Sequence, residues 1–402
     1  MKISYTSFNP QLTIKNMSIN LKSYCHSDAR TLVWSLRNIQ NFNYNSCLFE
    51  FEDIINTVDA ADLIAPPQYN FPGKIIKRLV KTQAKNFKPL TTLNPYLKSV
   101  NLEQEYDVFF VTLDFPWNIS SINLIKNLRQ QCKFAVCYIV EIWHRDLPKF
   151  KQFIEFFQDF DLICLGHAHV VENVQKITNV PCVYLPPGIN TVKFYPNLAQ
   201  DRRNIDVCSL GRRSEVTHRA LLELAEKQDF YYYYDYISGA DIRSNNHQEH
   251  RTLTANLLKN SRYFITNYAK VNKPEQTQGQ MEIGYRFFEG AAAGCVMLGK
   301  PPTTDTFRHY FDWQDAVIPI AFDEPNIDQI ILDLDAQPSY LESMRRNNVI
   351  NSLRKHDWVY RWEQVLTELN LPITKGIEQR KATLEEMAQA CQPSVAQLSS
   401  SN

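Results

Sequence analysis

The sequence predicts an α/β protein made of two doubly wound, Rossmann-like domains that face a central cleft. The chain has 402 residues, two to three times the length of a typical domain. Apolar runs alternate with amphipathic stretches along both halves, a rhythm typical of βαβ units in a parallel sheet. The rhythm stops at Pro186-Pro187-Gly188 and restarts after a polar stretch at 194–204, so we expect an interdomain linker there.

The first half of the chain, residues 1–190, is expected to form the N-terminal domain. Its apolar runs predict strands at 2–8, 106–113, 134–143, 161–166 and 181–188. Apolar residues at helical spacing predict helices at 27–39, 119–131, 147–157 and 169–177. The run YDVFFVTL at 106–113 is almost continuous, which indicates a strand buried on both faces of the sheet.

Residues 191–372 are expected to form the C-terminal domain. Strands are predicted at 205–211, 229–237, 262–269 and 295–299, and a further apolar run lies at 316–322. Helices are predicted at 217–227, 249–259, 283–293, 326–334 and 358–369. The chain turns polar after Leu371, so residues 373–402 are predicted to be a disordered tail. Ligands of open α/β sheets bind beyond the carboxyl ends of the strands, so two facing sheets predict one cleft suited to two substrates.

Composition and charge limit the class of protein. Lys and Arg number 43 and Asp and Glu number 43, so no overall charge draws the chain to nucleic acid. Most of the nine cysteines lie in apolar runs and none forms a Cys-x-x-Cys pair, which favours a reducing compartment. The N-terminus has no apolar segment typical of a signal peptide, and no window approaches the roughly 20 apolar residues of a membrane span. The predicted location is the cytoplasm.

The segment 282–299 is the most informative part of the sequence. Gly284 lies where a loop turns into a helix, and the free N–H groups and dipole of a helix N-terminus attract phosphate. Tyr285 and Arg286 follow in the first turn, where the guanidinium would add a forked contact to an anion. One turn further, Glu289 is able to accept two hydrogen bonds from a vicinal diol such as ribose. The alternative is a helix and strand whose small residues only pack, with a solvated Glu289.

This segment resembles the donor-site signature R-x-F-E-A-x-A-C/A-G of GT-B glycosyltransferases, specifically the "glycosyl transferases group 1" family and its CgeB-like relatives. The matching residues are Arg286, Phe288, Glu289, Ala291, Ala293 and Gly294. Residues 185–196 resemble the family's interdomain linker, and 207–226 resemble the first strand, turn and helix of its C-terminal domain. The resemblance covers about residues 130–370 and implies a GT-B fold in which Glu289 binds the ribose of a nucleotide sugar.

The turn Gly211-Arg212-Arg213 is the second predicted donor contact. The family places an arginine on the diphosphate at this turn, and two adjacent guanidiniums would stabilise a leaving diphosphate without a metal. The alternative is a solvated basic turn. The family's lysine five residues after the arginine is Thr217 here, and the neighbouring His218 is the expected substitute.

Two features depart from the family pattern. The larger family carries a glutamate eight residues before the ribose-binding one, where this chain has Met281, with Glu282 one place off. The family's Gly-Gly loop after the first strand is also missing, because residues 8–16 contain no glycine. We therefore expect the diphosphate to rely on the C-terminal domain.

Candidates for acceptor chemistry follow two strands of the N-terminal domain. Asp114 follows the strand at 106–113, and Glu141 and His144 end the strand at 134–143 or follow it. The resemblance places His144 in the loop that faces the acceptor, where a base would deprotonate a hydroxyl in an inverting transfer. A structural role for this histidine is the alternative. The pairs His167/His169 and His247/His250 have no carboxylate or thiolate at ligand spacing, so no metal site is predicted.

A run of basic residues within 74–88 predicts a basic amphipathic helix. It contains Lys74, Lys77, Arg78, Lys81, Lys85 and Lys88 with no acid between them. Such a helix can hold an enzyme on the inner face of an anionic membrane, near a lipid-linked acceptor. An ordinary solvated helix face packed on the domain is the alternative.

Together these features predict a metal-independent glycosyltransferase that needs no cofactor beyond its substrates. It would move a sugar from a nucleotide diphosphate sugar to a hydroxyl of a carbohydrate, lipid-linked or other acceptor, in polysaccharide or glycolipid biosynthesis. Two alternatives stay open: a GT-B nucleotide-sugar epimerase, and a non-catalytic module that binds the nucleotide sugar.

Overall fold

The fold consists of two parallel α/β domains, as a computed structural model of the chain describes it for residues 22–24, 28–83, 92–196, 202–235, 242–244 and 246–392. The predicted strand at 2–8, the glycine-free segment 8–16 and two of the basic residues, Lys85 and Lys88, lie outside the described residues. Within the described part, the two sheets confirm the predicted fold class.

The N-terminal sheet has seven strands in the order β1-β3-β2-β4-β5-β6-β7, all parallel except β1. The strands are β1 (Lys22–Tyr24), β2 (Thr31–Trp34), β3 (Asp62–Ala65), β4 (Tyr106–Leu113), β5 (Cys132–Ile139), β6 (Leu162–Leu165) and β7 (Cys182–Tyr184). The helices are α1 (Ser46–Val58), α2 (Phe71–Gln83), α3 (Leu128–Gln131), α4 (Leu147–Glu155) and α5 (Val171–Thr178). Strand β4 has its predicted bounds because its side chains are buried on both faces of the sheet.

Two predictions in this domain are wrong. The stretch 27–39 is not a helix and contains strand β2. Leu32, Val33 and Trp34 are fully buried, since the strand lies between two others and is covered on both faces. Consecutive apolar residues in such a strand also satisfy helical spacing, which is why periodicity alone misassigned it. The predicted helix at 119–131 is also corrected, to a 3-10 helix at Pro116–Leu124 and the short α3.

The C-terminal sheet has five parallel strands in the order β12-β11-β10-β8-β9. The strands are β8 (Ile205–Ser209), β9 (Tyr232–Tyr234), β10 (Ser261–Asn267), β11 (Val296–Lys300) and β12 (Ile318–Pro319). The helices from the linker onward are α6 (Thr191–Phe194), α7 (Glu215–Lys227), α8 (His247–Lys259), α9 (Pro274–Thr277), α10 (Tyr285–Ala292), α11 (Asp305–Tyr310), α12 (Ile327–Asp335), α13 (Pro338–Lys355), α14 (Trp358–Glu368) and α15 (Lys375–Ala390).

The chain crosses between the domains twice, at two adjacent segments. Ile189 in the linker exchanges backbone hydrogen bonds with the segment that begins α14, through the His356 carbonyl at 3.0 Å and the Trp358 amide at 3.1 Å. The Trp358 ring stacks on Phe51 of α1 at 4.5 Å. Helix α14, predicted within the C-terminal domain, therefore packs on the N-terminal domain.

Helix α15 corrects the prediction of a disordered tail from residue 373. Ile377 and Leu384 are fully buried in the core that α14 and α1 share. The Arg380 guanidinium binds Asp357 at the start of α14, with Nε 2.7 Å from Oδ1. The polar composition hid this helix because so few of its side chains are apolar. The residues after 392 lie outside the described part of the chain.

Candidate active site between the domains

The carboxyl ends of the strands in the two sheets face each other. Glu141 follows β5 of the N-terminal sheet, and its Oε1 lies 2.7 Å from Nζ of Lys270, which follows β10 of the C-terminal sheet. The Trp143 indole donates to the same carboxylate at 2.7 Å. Burial opposes the charge of Glu141, but the Lys270 ammonium outweighs it and lowers the pKa of Glu141. Glu141 is thus an ionised carboxylate that bridges the predicted cleft.

Asp114 lies beside Glu141 along the sheet edge, because the Glu141 amide donates to the Asp114 carbonyl at 3.1 Å. Its side chain is buried and accepts hydrogen bonds from the Phe115 amide at 2.9 Å and from the Asn118 amide group. Burial raises the pKa of Asp114, against these hydrogen bonds. The two predicted carboxylates are neighbours in the backbone but have different partners.

His144 has an exposed side chain, and its backbone amide donates to Gln280 of the C-terminal domain at 3.1 Å. Gln280 also donates to Glu282 Oε1 at 2.8 Å. The imidazole of His144 therefore lies at the rim of the interface.

Glu282 joins the two domains and was not among the predicted site residues. It is buried, and its Oε1 lies 2.8 Å from Nδ1 of His169 at the start of the helical segment before α5. The Ala168 amide donates to the other oxygen at 3.3 Å. Burial by itself would raise the pKa of Glu282. The hydrogen bond from His169 and further contacts outweigh the effect of burial, so the pKa of Glu282 lies below its ordinary value. The sequence offered a signal in GHAH at 166–169, which we considered only as a metal-binding pair.

Replacing His169 with Gln tests the pH dependence of this contact. The hydrogen bond to Glu282 raises the pKa of His169, so its stabilising effect is complete below the ordinary histidine pKa of about 6.5 and is lost as the pH rises through the raised value. Wild type should exceed His169→Gln in stability at about pH 5.5, by less than about 1 kcal/mol because the imidazole is partly exposed, and the gap should close by about pH 8.5. The midpoints of urea unfolding at both pH values measure this difference in stability. The exposed His309, changed to Gln, serves as the control, and a gap that widens toward alkaline pH would contradict the assignment.

Glu289 is the predicted ribose ligand, and the structure gives it two arginine partners. Its Oε1 lies 2.5 Å from Nη1 of Arg251 on α8, and its Oε2 lies 2.6 Å from Nη1 of Arg286. Arg251 also contacts Glu50 of α1, with Nε 3.3 Å from Oε1. Burial would raise the pKa of Glu289, but the two arginines outweigh it and lower the pKa. The carboxylate is ionised and only 1% exposed, so a ribose could reach it only if the domains separate here.

Gly284 and Tyr285 are the other two predicted site residues at the N-terminus of α10. Gly284 is the N-cap of α10 with an extended backbone, φ −81° and ψ 156°. Tyr285 directs its ring toward Trp358 at 6.4 Å, at the crossing between the domains. The first turn of α10 thus borders the linker as well as the cleft.

The turn after β8 carries one arginine that forms an ion pair and one arginine that is exposed. Gly211 has φ +84°, a left-handed conformation that favours glycine, and its amide donates to Asp235 at 2.9 Å. Arg213 binds the same carboxylate, with Nη1 2.6 Å from Oδ1. Arg212 is exposed and has no ion pair among the described residues. His218, the expected substitute for the family's lysine, faces Tyr232 with Nδ1 3.0 Å from the hydroxyl.

A small cavity lies where α1 and the preceding loop meet α8. It has a volume of about 80 Å³ and is lined by Arg37, Phe49 and His247, among others. His247 Nε2 lies 2.8 Å from Oδ2 of Asp53 on α1. Since ligand sites usually have about 300–1,000 Å³, this cavity is too small to hold a nucleotide sugar.

Part of this chain is similar to a known protein family. Residues 212–367 match the family model described as glycosyl transferase-like. The matched residues lie in the second domain and make up less than half of the chain. The match spans both predicted donor segments, Arg212-Arg213 and Gly284 to Glu289. The CgeB-like detail of the resemblance stays a prediction.

Solved glycosyltransferase structures are similar to this chain at low identity. HepE from Anabaena, solved in complex with UDP-glucose, is 9% identical, with 85% of this chain and 99% of that chain covered and a TM-score of 0.45. A glycosyltransferase from Rickettsia africae is 10% identical, with 85% and 98% covered and a TM-score of 0.42. No curated protein matches the chain. These identities are too low to assign the role of any residue.

Metal-binding groups and membrane-spanning helices are both absent from the described part of the chain. No group of three or more His, Cys, Asp or Glu side chains there is arranged to hold a metal ion. No helix there is both long enough and apolar enough to cross a membrane.

Proposed function

We propose that this chain is a glycosyltransferase that transfers a sugar from a nucleotide diphosphate sugar to an acceptor hydroxyl without a metal. The observation that carries the proposal is the family match, which includes both segments predicted to hold the donor. The general proposal that this chain transfers a sugar rests on that match. We further propose that the donor is a nucleotide diphosphate sugar, that no metal takes part, that the acceptor supplies a hydroxyl and that the chain acts in the cytoplasm.

The exposed guanidinium of Arg212 is proposed as the diphosphate ligand of the turn after β8. Arg213 is already neutralised by Asp235 and also lies over the Tyr234 ring, 5.2 Å from its centre, so it positions the turn. A free guanidinium beside a glycine with a left-handed backbone leaves room for a phosphate to approach the main chain. The leaving nucleoside diphosphate would be stabilised electrostatically at this turn.

The acceptor is proposed to bind at the edge of the N-terminal sheet, near Asp114 and Glu141. Asp114 is suited to accept a hydroxyl proton, because a carboxyl with a raised pKa holds a proton better at neutral pH. Glu141 would become available when the donor draws Lys270 toward its phosphates, since that ammonium is the partner of Glu141 across the cleft. His144 would then act at the rim, in contact with the acceptor rather than the donor.

Changing Arg212 to Ala tests the proposed donor site. Loss of a charge-assisted hydrogen bond costs about 1.5–3 kcal/mol, which corresponds to about 10- to 150-fold weaker binding. Calorimetric titration with UDP, GDP, ADP and their sugar conjugates should show this loss for one nucleotide class. The matched control is Arg219→Ala on the exposed side of α7, where the guanidinium only meets Glu215 at 3.6 Å. Equal affinities of the two variants and wild type would contradict the proposed site.

The non-catalytic binding module is the second candidate, and the state of Glu289 favours it. Both oxygens of that carboxylate are held by arginines in a buried contact between the domains. If the domains do not separate at this contact, the donor cannot reach Glu289. Such a module would bind nucleotide at Arg212 without consuming the nucleotide sugar, whereas an epimerase would convert the sugar without any acceptor.

A further inference from the structure

Helix α2 presents an apolar face to solvent, which the sequence pattern alone did not reveal. Phe71 is 76% exposed, Ile75 is 47% exposed and Leu79 is 39% exposed. These residues recur at intervals of four and therefore form one stripe along the helix. The opposite side of α2, with Gly73 and Val80, is buried against the domain. Helix α2 is therefore anchored on one side and exposes large apolar side chains on the other.

A neighbouring loop packs against the buried side of α2. The backbone of Gly73 approaches the loop so closely that a Cβ there would lie 2.3 Å from the Pro95 carbonyl oxygen. Two residues further along that loop, Leu97 is 61% exposed. We call the stripe of Phe71, Ile75 and Leu79 the α2 face.

The charge around the α2 face has one sign. Residues 63–102 contain seven Lys and Arg and no Asp or Glu. Lys74 and Lys81 are exposed on the described part of the helix. A protein partner of mixed charge gains nothing from such uniformity, whereas an anionic lipid surface attracts the exposed lysines of α2. Long basic side chains beside an apolar stripe also allow the apolar groups to enter the interface while the charges stay at the headgroups.

We propose that the α2 face docks on an anionic lipid surface, with Phe71 and Ile75 entering the interface and the flanking lysines at the headgroups. The same helix borders the acceptor edge of the cleft, because Lys81 Nζ lies 4.7 Å from the centre of the Trp117 ring in the segment that follows Asp114. If the chain is the proposed glycosyltransferase, a lipid-linked hydroxyl acceptor would therefore reach Asp114 from the membrane. That consequence rests on the proposed function, whereas the docking itself does not.

Sedimentation with vesicles tests the docking. The full chain should sediment with phosphatidylcholine vesicles that contain phosphatidylglycerol, and not with phosphatidylcholine vesicles alone. Phe71→Ser with Ile75→Ser should lower the partition coefficient by about 100-fold or more, since two large side chains no longer enter the interface. Lys74→Glu with Lys81→Glu should lower it by at least about 10-fold.

The controls are changes of the same kind on other surfaces. Leu253→Ser with Leu332→Ser removes two other exposed leucines, and Lys126→Glu with Lys375→Glu makes the same change in net charge at two exposed lysines. Both controls should bind vesicles as wild type does. Equal binding of all variants, no binding by wild type, or a dimer in light scattering that the serine pair abolishes would each overturn the docking. Nucleotide titration of the same variants separates this failure from failure of the proposed function.

Discussion

Arg251→Ala is expected to lower the free energy of unfolding by about 3–5 kcal/mol, because it leaves the buried Glu50 without the cation that it contacts and leaves Glu289 with Arg286 alone. Arg251 is 1% exposed and joins Glu289 of the C-terminal domain to Glu50 of the N-terminal domain. The Trp358 indole also contacts Glu50 Oε2 at 3.3 Å, so the cluster connects the cleft with the crossing between the domains. Urea unfolding followed by tryptophan fluorescence measures the loss.

Two further variants make this test specific. Arg219→Ala removes an exposed arginine of an i,i+4 pair and should change stability by less than about 0.5 kcal/mol. Arg251→Met combined with Glu50→Gln removes a charge of each sign and leaves Glu289 paired with Arg286, so it should be more stable than Arg251→Ala because fewer buried charges stay uncompensated. A loss below about 1 kcal/mol for Arg251→Ala would mean that the cluster is solvated and that the domains are apart in solution.

Ile377→Ala with Leu384→Ala is the second large effect, at about 4–8 kcal/mol, since each truncation of a buried Ile or Leu costs about 2–5 kcal/mol. Both side chains are fully buried in α15 and lie two turns apart, so their effects should nearly add. Thermal and urea unfolding measure the loss.

The control for α15 is Gln379→Ala with Glu386→Ala, at two exposed positions of the same helix. These changes should stay within about 0.5 kcal/mol each. If both pairs of substitutions behave alike, then α15 is not packed on the domain and the polar composition of this segment was the better guide.

The alternation of apolar and amphipathic segments predicted most of the fold. Strand β4 was predicted at its observed bounds, and the turn at 186–188 was expected as the linker that does run between the two domains. Gly188 in that turn has to be a glycine, because a Cβ would lie 2.6 Å from the Trp358 ring. Such features are local or periodic, so they are visible in a single sequence.

The misses have a common physical cause, which is packing between distant parts of the chain. Helix α15 has few apolar residues, yet its narrow stripe is sufficient because α1 and α13 cover it. The sequence pattern of strand β2 predicts a helix, and only its position between two neighbouring strands shows that it is a strand. In both segments the decisive contact lies far away in sequence, so local propensity and composition pointed elsewhere.

The sequence predicted which segments form the candidate site, but it did not predict which side chains contact each other there. The sequence pointed to the turn at 211–213 and the first turns of α10, and the structure places both segments on the side of the C-terminal domain that faces the other sheet. It did not predict that Arg251 and Arg286 hold Glu289, or that Lys270 and His169 pair with carboxylates across the interface. The two pairs across the interface join side chains more than 100 residues apart, so no spacing rule reports them, whereas Arg286 and Glu289 are an i,i+3 pair of one helix.

The most direct test of the central claim is donor turnover by the purified chain, followed by phosphorus NMR with UDP-, GDP- and ADP-sugars. The account predicts that one class of nucleotide sugar is consumed and releases its nucleoside diphosphate, faster when a hydroxyl acceptor is supplied and more slowly in Arg212→Ala. Binding without consumption would instead identify the module that has no catalysis, and a new sugar still attached to the nucleotide would identify an epimerase. If no nucleotide sugar is bound or consumed, the claim of glycosyl transfer is contradicted.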